Sequence, residues 1–340
     1  MFDQSLHDKI KRKNKTAALC VTFFVLAFTV LRMFMTRLFI DPDLHYYIEP
    51  ENIFVLSVDY IIAACIVIIY FISFFIYKHK IENHNYIETA DCFVQGTQTQ
   101  VFSASLTALL FAFASAFQAY SFINPENALG DIQALSLIGR FIAYIKNYPF
   151  DFPIFAAAVL CAVYFFKTAS LNFDIGDPSE QIPAVKTETE TKTETEEAEK
   201  TKKSEAGSKC KFSSAHVIFS FMPIIWAFLN VFKCFFDMSK SVNSPVRTYE
   251  LMTFLFLSTY FVSESRMLVE RRELSRFFTF SYIAVIVTAA SSLPNLIWSS
   301  FWMLQTNNDQ IVYAVEISLA VYIFSRIYSQ IRYGRFLLQR

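Results

Sequence analysis

Apolar residues in this chain collect into eight runs, at about 17–39, 52–77, 101–123, 152–170, 213–236, 248–264, 277–302 and 310–330, separated by polar connections. Roughly 20 apolar residues rise about 30 Å as a helix, which matches the hydrocarbon thickness of a bilayer. Each run is therefore predicted to be a membrane-spanning helix. One polar stretch, 173–211, interrupts the pattern more than any other: Thr, Glu and Lys dominate it, and 187–199 holds little else. Its few apolar side chains do not offset its ordering entropy, so a disordered cytoplasmic linker is expected there. Four runs precede the linker and four follow it. The predicted fold is all-α, a polytopic integral membrane protein with eight transmembrane helices in two four-helix halves, 1–172 and 212–340.

Two weaker patterns lie between or beyond the runs. Within 131–147, Ile132, Leu135, Ile138, Ile142 and Ile145 recur at three or four residues, predicting an amphipathic helix on the outer membrane face or capping the bundle. The C-terminal stretch sets Arg326, Arg332, Arg335 and Arg340 among Ile331, Phe336 and Leu337, a basic amphipathic segment for the inner leaflet. Residues 264–276 lack Gly and Pro, so the sixth helix is expected to project into the cytoplasm before the chain turns back.

Charge sets the orientation, since cytoplasmic flanks carry the excess of Lys and Arg. With the N-terminus inside, 23 basic residues fall on cytoplasmic flanks and 7 elsewhere (Arg32, Arg37, Arg140, Lys146, Lys233, Lys240 and Arg247). Every cytoplasmic connection agrees, which places both termini in the cytoplasm and the protein in the cell membrane. Five basic residues precede the first run, as in a signal sequence. That run is too long for a signal h-region and no small-x-small site follows, so it reads as an uncleaved first span. The basic cluster Lys200–Lys211, like the C-terminal arginines, is suited to anionic lipid headgroups.

Composition adds less. The chain is 54 % hydrophobic, close to a soluble domain's share, so distribution rather than amount carries the membrane reading. Six cysteines show no C-x-x-C spacing, and Cys20, Cys65, Cys161 and Cys234 sit in apolar runs as small hydrophobes. Neither a metal site nor a cofactor is predicted. All six glycines lie outside the runs, so close packing must use Ala and Ser. Ala104, Ala108, Ala112 and Ala116 offer a ridge on the third helix, which is expected at the centre of the first half; Ala157, Ala158, Cys161 and Ala162 offer a matching face on the fourth. Pro223 and Pro294 fall inside the fifth and seventh runs and are expected to kink them.

An ionisable side chain inside a membrane is a functional candidate, because burying it costs at least about 2.5 kcal/mol. Asp59, His216, Glu250 and Glu316 qualify, with Arg32 and Arg37 in the first span. Asn230, Lys233, Glu250, Asn295 and Glu316 are expected to share the outer portion of the second half, where Lys233 could pair with Glu316 or Glu250. Beside Pro294 they could line an outward-facing polar cavity. Structural roles stand beside that reading: Lys233 snorkelling, Glu250 at the headgroups and Glu316 in one interhelical hydrogen bond. Asp59 is expected to pair with Arg37, no partner is assigned to Arg32, and His216 is placed at the cytoplasmic interface.

No H-E-x-x-H, G-x-S-x-G or Walker A run occurs, no S-x-x-K falls within an apolar run, and paired intramembrane aspartates are missing. Nothing beyond scattered basic residues points to nucleic acid. In the second half, Ser214-Ala-His216, Pro223-x-x-Trp226-Ala227, Glu250, Glu264-x-Arg266, Arg271-Arg272-x-Leu274 and Leu293-Pro294 follow one another. This order resembles a group of uncharacterised multi-pass membrane proteins from bacteria, a resemblance that implies no activity. Three function classes remain: a non-catalytic membrane scaffold, regulator or assembly partner; a transporter of small solutes or ions; and a membrane-embedded enzyme. A polar cavity reaching Glu316 would favour transport, and a solid bundle the scaffold.

Overall fold

The computed structural model describes residues 4–41, 47–48, 52–81, 96–123, 136–171, 214–236, 244–269, 274–302 and 307–333. The predicted linker, the start of the 131–147 segment and the tail beyond 333 lie outside the described residues. Regular structure among the described residues is helical apart from one bridge, Ile40 to Tyr47.

Among the described residues, seven helices, or pairs of helices read as one stretch, are long and apolar enough to cross a membrane. They are α1 (Gln4–Phe39), α2 (Ile53–Ile81), α3 (Gln98–Ile123), α5 (Asp151–Ala169), the pair α6 (Ser214–Phe219) and α7 (Met222–Phe236), α9 (Leu274–Trp302) and α10 (Asn307–Tyr333). The chain is a multi-pass membrane protein in contact with lipid. Between α7 and α9 lies α8 (Pro245–Leu268), which covers the sixth predicted span. Its 24 residues rise about 36 Å as a helix, enough to cross. Arg247, Glu250, Glu264 and Arg266 make it less apolar than the others. It ends at Leu268 rather than running through to Arg276, and Glu264 is buried.

Helices from before and after the linker pack together. Contacts close a circuit through α3, α5, α7, α8, α9 and α10, while α1 and α2 pack outside it on α9. In α9, 89 % of the apolar stretch is buried, against 17 % in α2, so α9 is the most enclosed of the seven. The two sides of the linker are thus interleaved. The circuit encloses an aromatic layer: Phe111 stacks on Phe165 at 5.6 Å and meets Trp226 edge-on at 5.0 Å, Trp226 meets Phe254 at 5.7 Å, and Phe165 meets Tyr322 at 5.0 Å.

The expected alanine ridge holds only in part. Ala104 and Ala108 are buried, but Ala112 and Ala116 are exposed. The buried face of α3 instead follows Ser103, Thr107, Phe111 and Ser115. Hydroxyls then bridge to α10: Ser103 to Ser325 and Thr97 to Ser329, both at 2.6 Å, and Thr107 to the Ser318 carbonyl at 3.2 Å. Ala157, Ala158 and Cys161 are buried on α5, as predicted, where it packs against α3. Gly96, with φ 78°, supplies the left-handed turn before α3.

Helix α4 (Leu137–Asn147), capped by Ser136 Oγ accepting from the Gly139 N–H, covers most of the predicted amphipathic segment. Its aromatic side docks, with Tyr144 buried and Phe141 against Phe122 and Phe152. Ile138 and Ile142, from the predicted apolar stripe, face outward. Edge-on aromatic packing on Phe122 outcompetes the smaller isoleucines for the contact.

Candidate functional site

Polar side chains within the bundle fall in two layers on either side of the aromatic layer. Glu316 and Arg326 of α10 mark them, and ten residues of helix separate them by about 15 Å.

The Glu316 layer draws on α1, α2, α8, α9 and α10. Glu316 is fully buried and accepts a hydrogen bond from Ser292 Oγ of α9 at 2.5 Å. Thr288 and Asn295 lie one turn either side of Ser292, hence on the same face, and both are buried. Thr288 Oγ1, Ser291 Oγ and Asn295 Nδ2 have no hydrogen-bond partner among the described residues. Pro294 sits inside α9, and without an N–H it cannot bond the Ala290 carbonyl one turn back. Glu250 of α8 is buried and accepts from Tyr313 Oη at 2.5 Å, with Cys234 Sγ 4.0 Å away. Asp59 of α2 accepts from Tyr249 Oη at 2.8 Å and from Tyr47 Oη. Arg32, 1 % exposed, lies 4.0 Å from Asp59 and 3.8 Å over the Tyr249 ring, while its Nε and Nη1 make no hydrogen bond among the described residues. Trp298 Nε1 donates to the Met33 carbonyl at 3.1 Å and holds α9 to α1 at this level.

At its rim, Lys233 of α7 pairs with Asp151 of α5 at 2.8 Å, and Tyr144 donates to the same carboxylate at 2.8 Å. Burial, then the nearby Asp151 charge, pushes the Tyr144 phenol well above its ordinary value.

The Arg326 layer is one tight pair. Glu264 of α8 accepts from Arg326 Nε and Nη2 at 2.9 Å each and from Tyr322 Oη at 2.8 Å. The ion pair is 1–2 % exposed. Tyr164, Tyr260 and Tyr322, all buried, surround it, and the buried His216 ring lies 5.4 Å from Tyr164. Nearby, Ser265 Oγ donates to the Ser220 carbonyl at 3.0 Å, where the chain turns between α6 and α7.

Several expected partnerships change. Lys233 holds Asp151, not Glu316 or Glu250. Asp59 faces Arg32 rather than Arg37, whose guanidinium lies 5.2 Å from the Trp298 ring. Glu250 and His216 are both buried within the protein. Asn230 turns back on its own helix, donating to the Trp226 carbonyl at 2.8 Å, and leaves the polar group. Pro223 marks a break between α6 and α7 rather than a kink in one helix. Glu316, Glu250 and Asn295 do share one end of the bundle. Missed altogether were Glu264 and Arg326, read as membrane-flanking charges. A signal for them existed: Tyr260 precedes Glu264 by four residues and Tyr322 precedes Arg326 by four, so each charge shares a helix face with a tyrosine. Tyrosine hydroxyls also serve Asp59, Glu250 and Asp151.

Comparison with family models, with curated proteins and with solved structures yields no match, so the resemblance seen in the second half gains no support.

Proposed function

We propose that this chain is a non-catalytic integral membrane protein, a scaffold or assembly partner, whose intramembrane charges hold the bundle together. It crosses the bilayer eight times with both termini in the cytoplasm. The carrying observation is that Glu316, deepest of the candidates, is fully buried and hydrogen-bonded to Ser292 across the α9–α10 contact. Carboxylates served by internal hydroxyls and cations are parts of a packed core rather than of an open pathway.

That α8 also crosses, as the sixth of eight spans, is supported by alternation of the helix ends. Its start meets α2 through Tyr249–Asp59 and α10 through Glu250–Tyr313, and its end meets α10 again through Glu264–Arg326. Helices α8 and α10 therefore run parallel over their whole length, as two outward-to-inward crossings must. Orientation follows the excess of basic residues, as does contact of Lys200–Lys211 with anionic lipid. Labelling Asp43→Cys or Asn308→Cys in intact cells with an impermeant reagent tests it; labelling at Lys203→Cys instead would invert the topology.

Transport remains the second reading, favoured by the polar atoms of Thr288, Ser291 and Asn295 that have no partner among the described residues, beside Pro294. In an otherwise cysteine-free chain, Ser292→Cys and Asn295→Cys separate the two. A solid bundle leaves both unreactive toward small water-soluble thiol reagents. Labelling of either at a rate near that of an exposed thiol would overturn the scaffold reading.

A further inference from the structure

We infer that a groove between the start of α3 and the end of α10 binds a phospholipid with an anionic headgroup, its acyl chain in the groove and its phosphate at Arg332. The groove has a volume of about 420 Å³ and is walled by Gln98 and Phe102 of α3 with Val321, Phe324 and Tyr328 of α10. Phe102 is 70 % exposed, Val321 43 % and Tyr328 42 %, so its walls face the surrounding medium. Polar groups in its floor are turned to one another: Ser103 bonds Ser325 at 2.6 Å, and Thr97 and Thr99 bond Ser329 at 2.6 and 3.3 Å. Apart from the exposed Gln98, what remains is an apolar concavity at the end of two membrane-spanning helices. In the bilayer only hydrocarbon can fill it.

The charge at its mouth selects the headgroup. Arg332, exposed on the last turn of α10, bonds Tyr328 Oη at 2.9 Å and lies 5.9 Å from that ring, which places a cation directly over the groove wall. From Val321 to Arg332 the helix advances eleven residues, about 16 Å, or one leaflet's depth of hydrocarbon. An acyl chain alongside Phe102 and Val321 thus ends with its phosphate at the guanidinium. Arginine suits that task, since its planar donors match phosphate oxygens in pairs. Arg335 and Arg340, next along the sequence, add positive charge to the same end of the chain. The inference rests on the membrane reading alone and not on the choice between scaffold and transporter.

Purified full-length protein, titrated in detergent with phosphatidylglycerol and phosphatidylcholine of identical acyl chains and read by native mass spectrometry, provides the test. The wild type is expected to retain phosphatidylglycerol about fivefold better, the factor one basic residue near an anionic surface supplies. Arg332→Gln should bring that ratio close to one. Val321→Trp, at an exposed position, should fill the groove and lower retention of both lipids alike. A second readout needs no groove-blocking variant: Phe102→Trp fluorescence should be quenched more by brominated phosphatidylglycerol than by brominated phosphatidylcholine. No headgroup preference in the wild type, or a preference that survives Arg332→Gln, would mean that the groove is merely solvated by bulk lipid and would overturn the assignment.

Discussion

The two polar layers solve one problem in different ways. Around Arg326, charge is neutralised at a single point: one carboxylate, one guanidinium with two 2.9 Å contacts, and one tyrosine, all closed off from the surface. Around Glu316, charge is spread over three carboxylates on three helices, each served by a hydroxyl, while the buried Arg32 guanidinium sits 4.0 Å from the most exposed of them. A fully buried pair is intolerant of losing either partner, because the survivor is stranded in low dielectric. A dispersed set tolerates loss, since each acid keeps its own donor. The first layer therefore behaves as a clamp between α8 and α10, and the second as a set of independent, weaker ties.

That contrast can be broken or sharpened by substitution. The largest effect is expected from Arg326→Met, which leaves Glu264 unpaired and should cost about 3–5 kcal/mol of stability. Thermal unfolding in lipid nanodiscs reads it, and adding Glu264→Gln should restore most of the loss. Without that rescue, the clamp description does not survive. Arg32→Met should cost less, about 1–2 kcal/mol, because Asp59 is 30 % exposed and retains both tyrosine donors. Smallest of all is Glu316→Gln, which keeps an acceptor for Ser292 and should change stability by under about 1 kcal/mol. If it destabilised as strongly as Arg326→Met, the two layers would be equivalent and the comparison empty.

How much of this could be read from the chain depends on the range of the interaction. The spans were legible because hydrophobic length is a local property, and even α8, with its charged ends, fell within the alternation of basic connections. Cys161 with its alanine neighbours on α5 was legible for the same reason: small side chains at helical spacing define a face. Ionic partners were not. Lys233 had Glu250 and Glu316 within its own half, yet it meets Asp151 because α5 packs beside α7. Arg32 and Asp59 find each other where α1 and α2 meet α9 and α8, an order of packing that no single run encodes. Glu264 and Arg326 were hidden by a sound rule applied too widely: counting basic residues toward orientation assumes that they lie at the surface, and Arg326 does not.

Placing α9 at the centre also bears on how the molecule is made. The Met33 carbonyl and the Trp298 indole that bonds it are 265 residues apart, a gap of roughly 15–50 s at ribosomal speeds of about 5–20 residues per second. Throughout that interval the first two helices are in the bilayer with the guanidinium of Arg32 and the hydroxyls of Thr29 and Thr36 turned toward a neighbour not yet synthesised. Nascent α1 must be sheltered by the insertion machinery, or by its own pairing with Asp59, until α9 arrives.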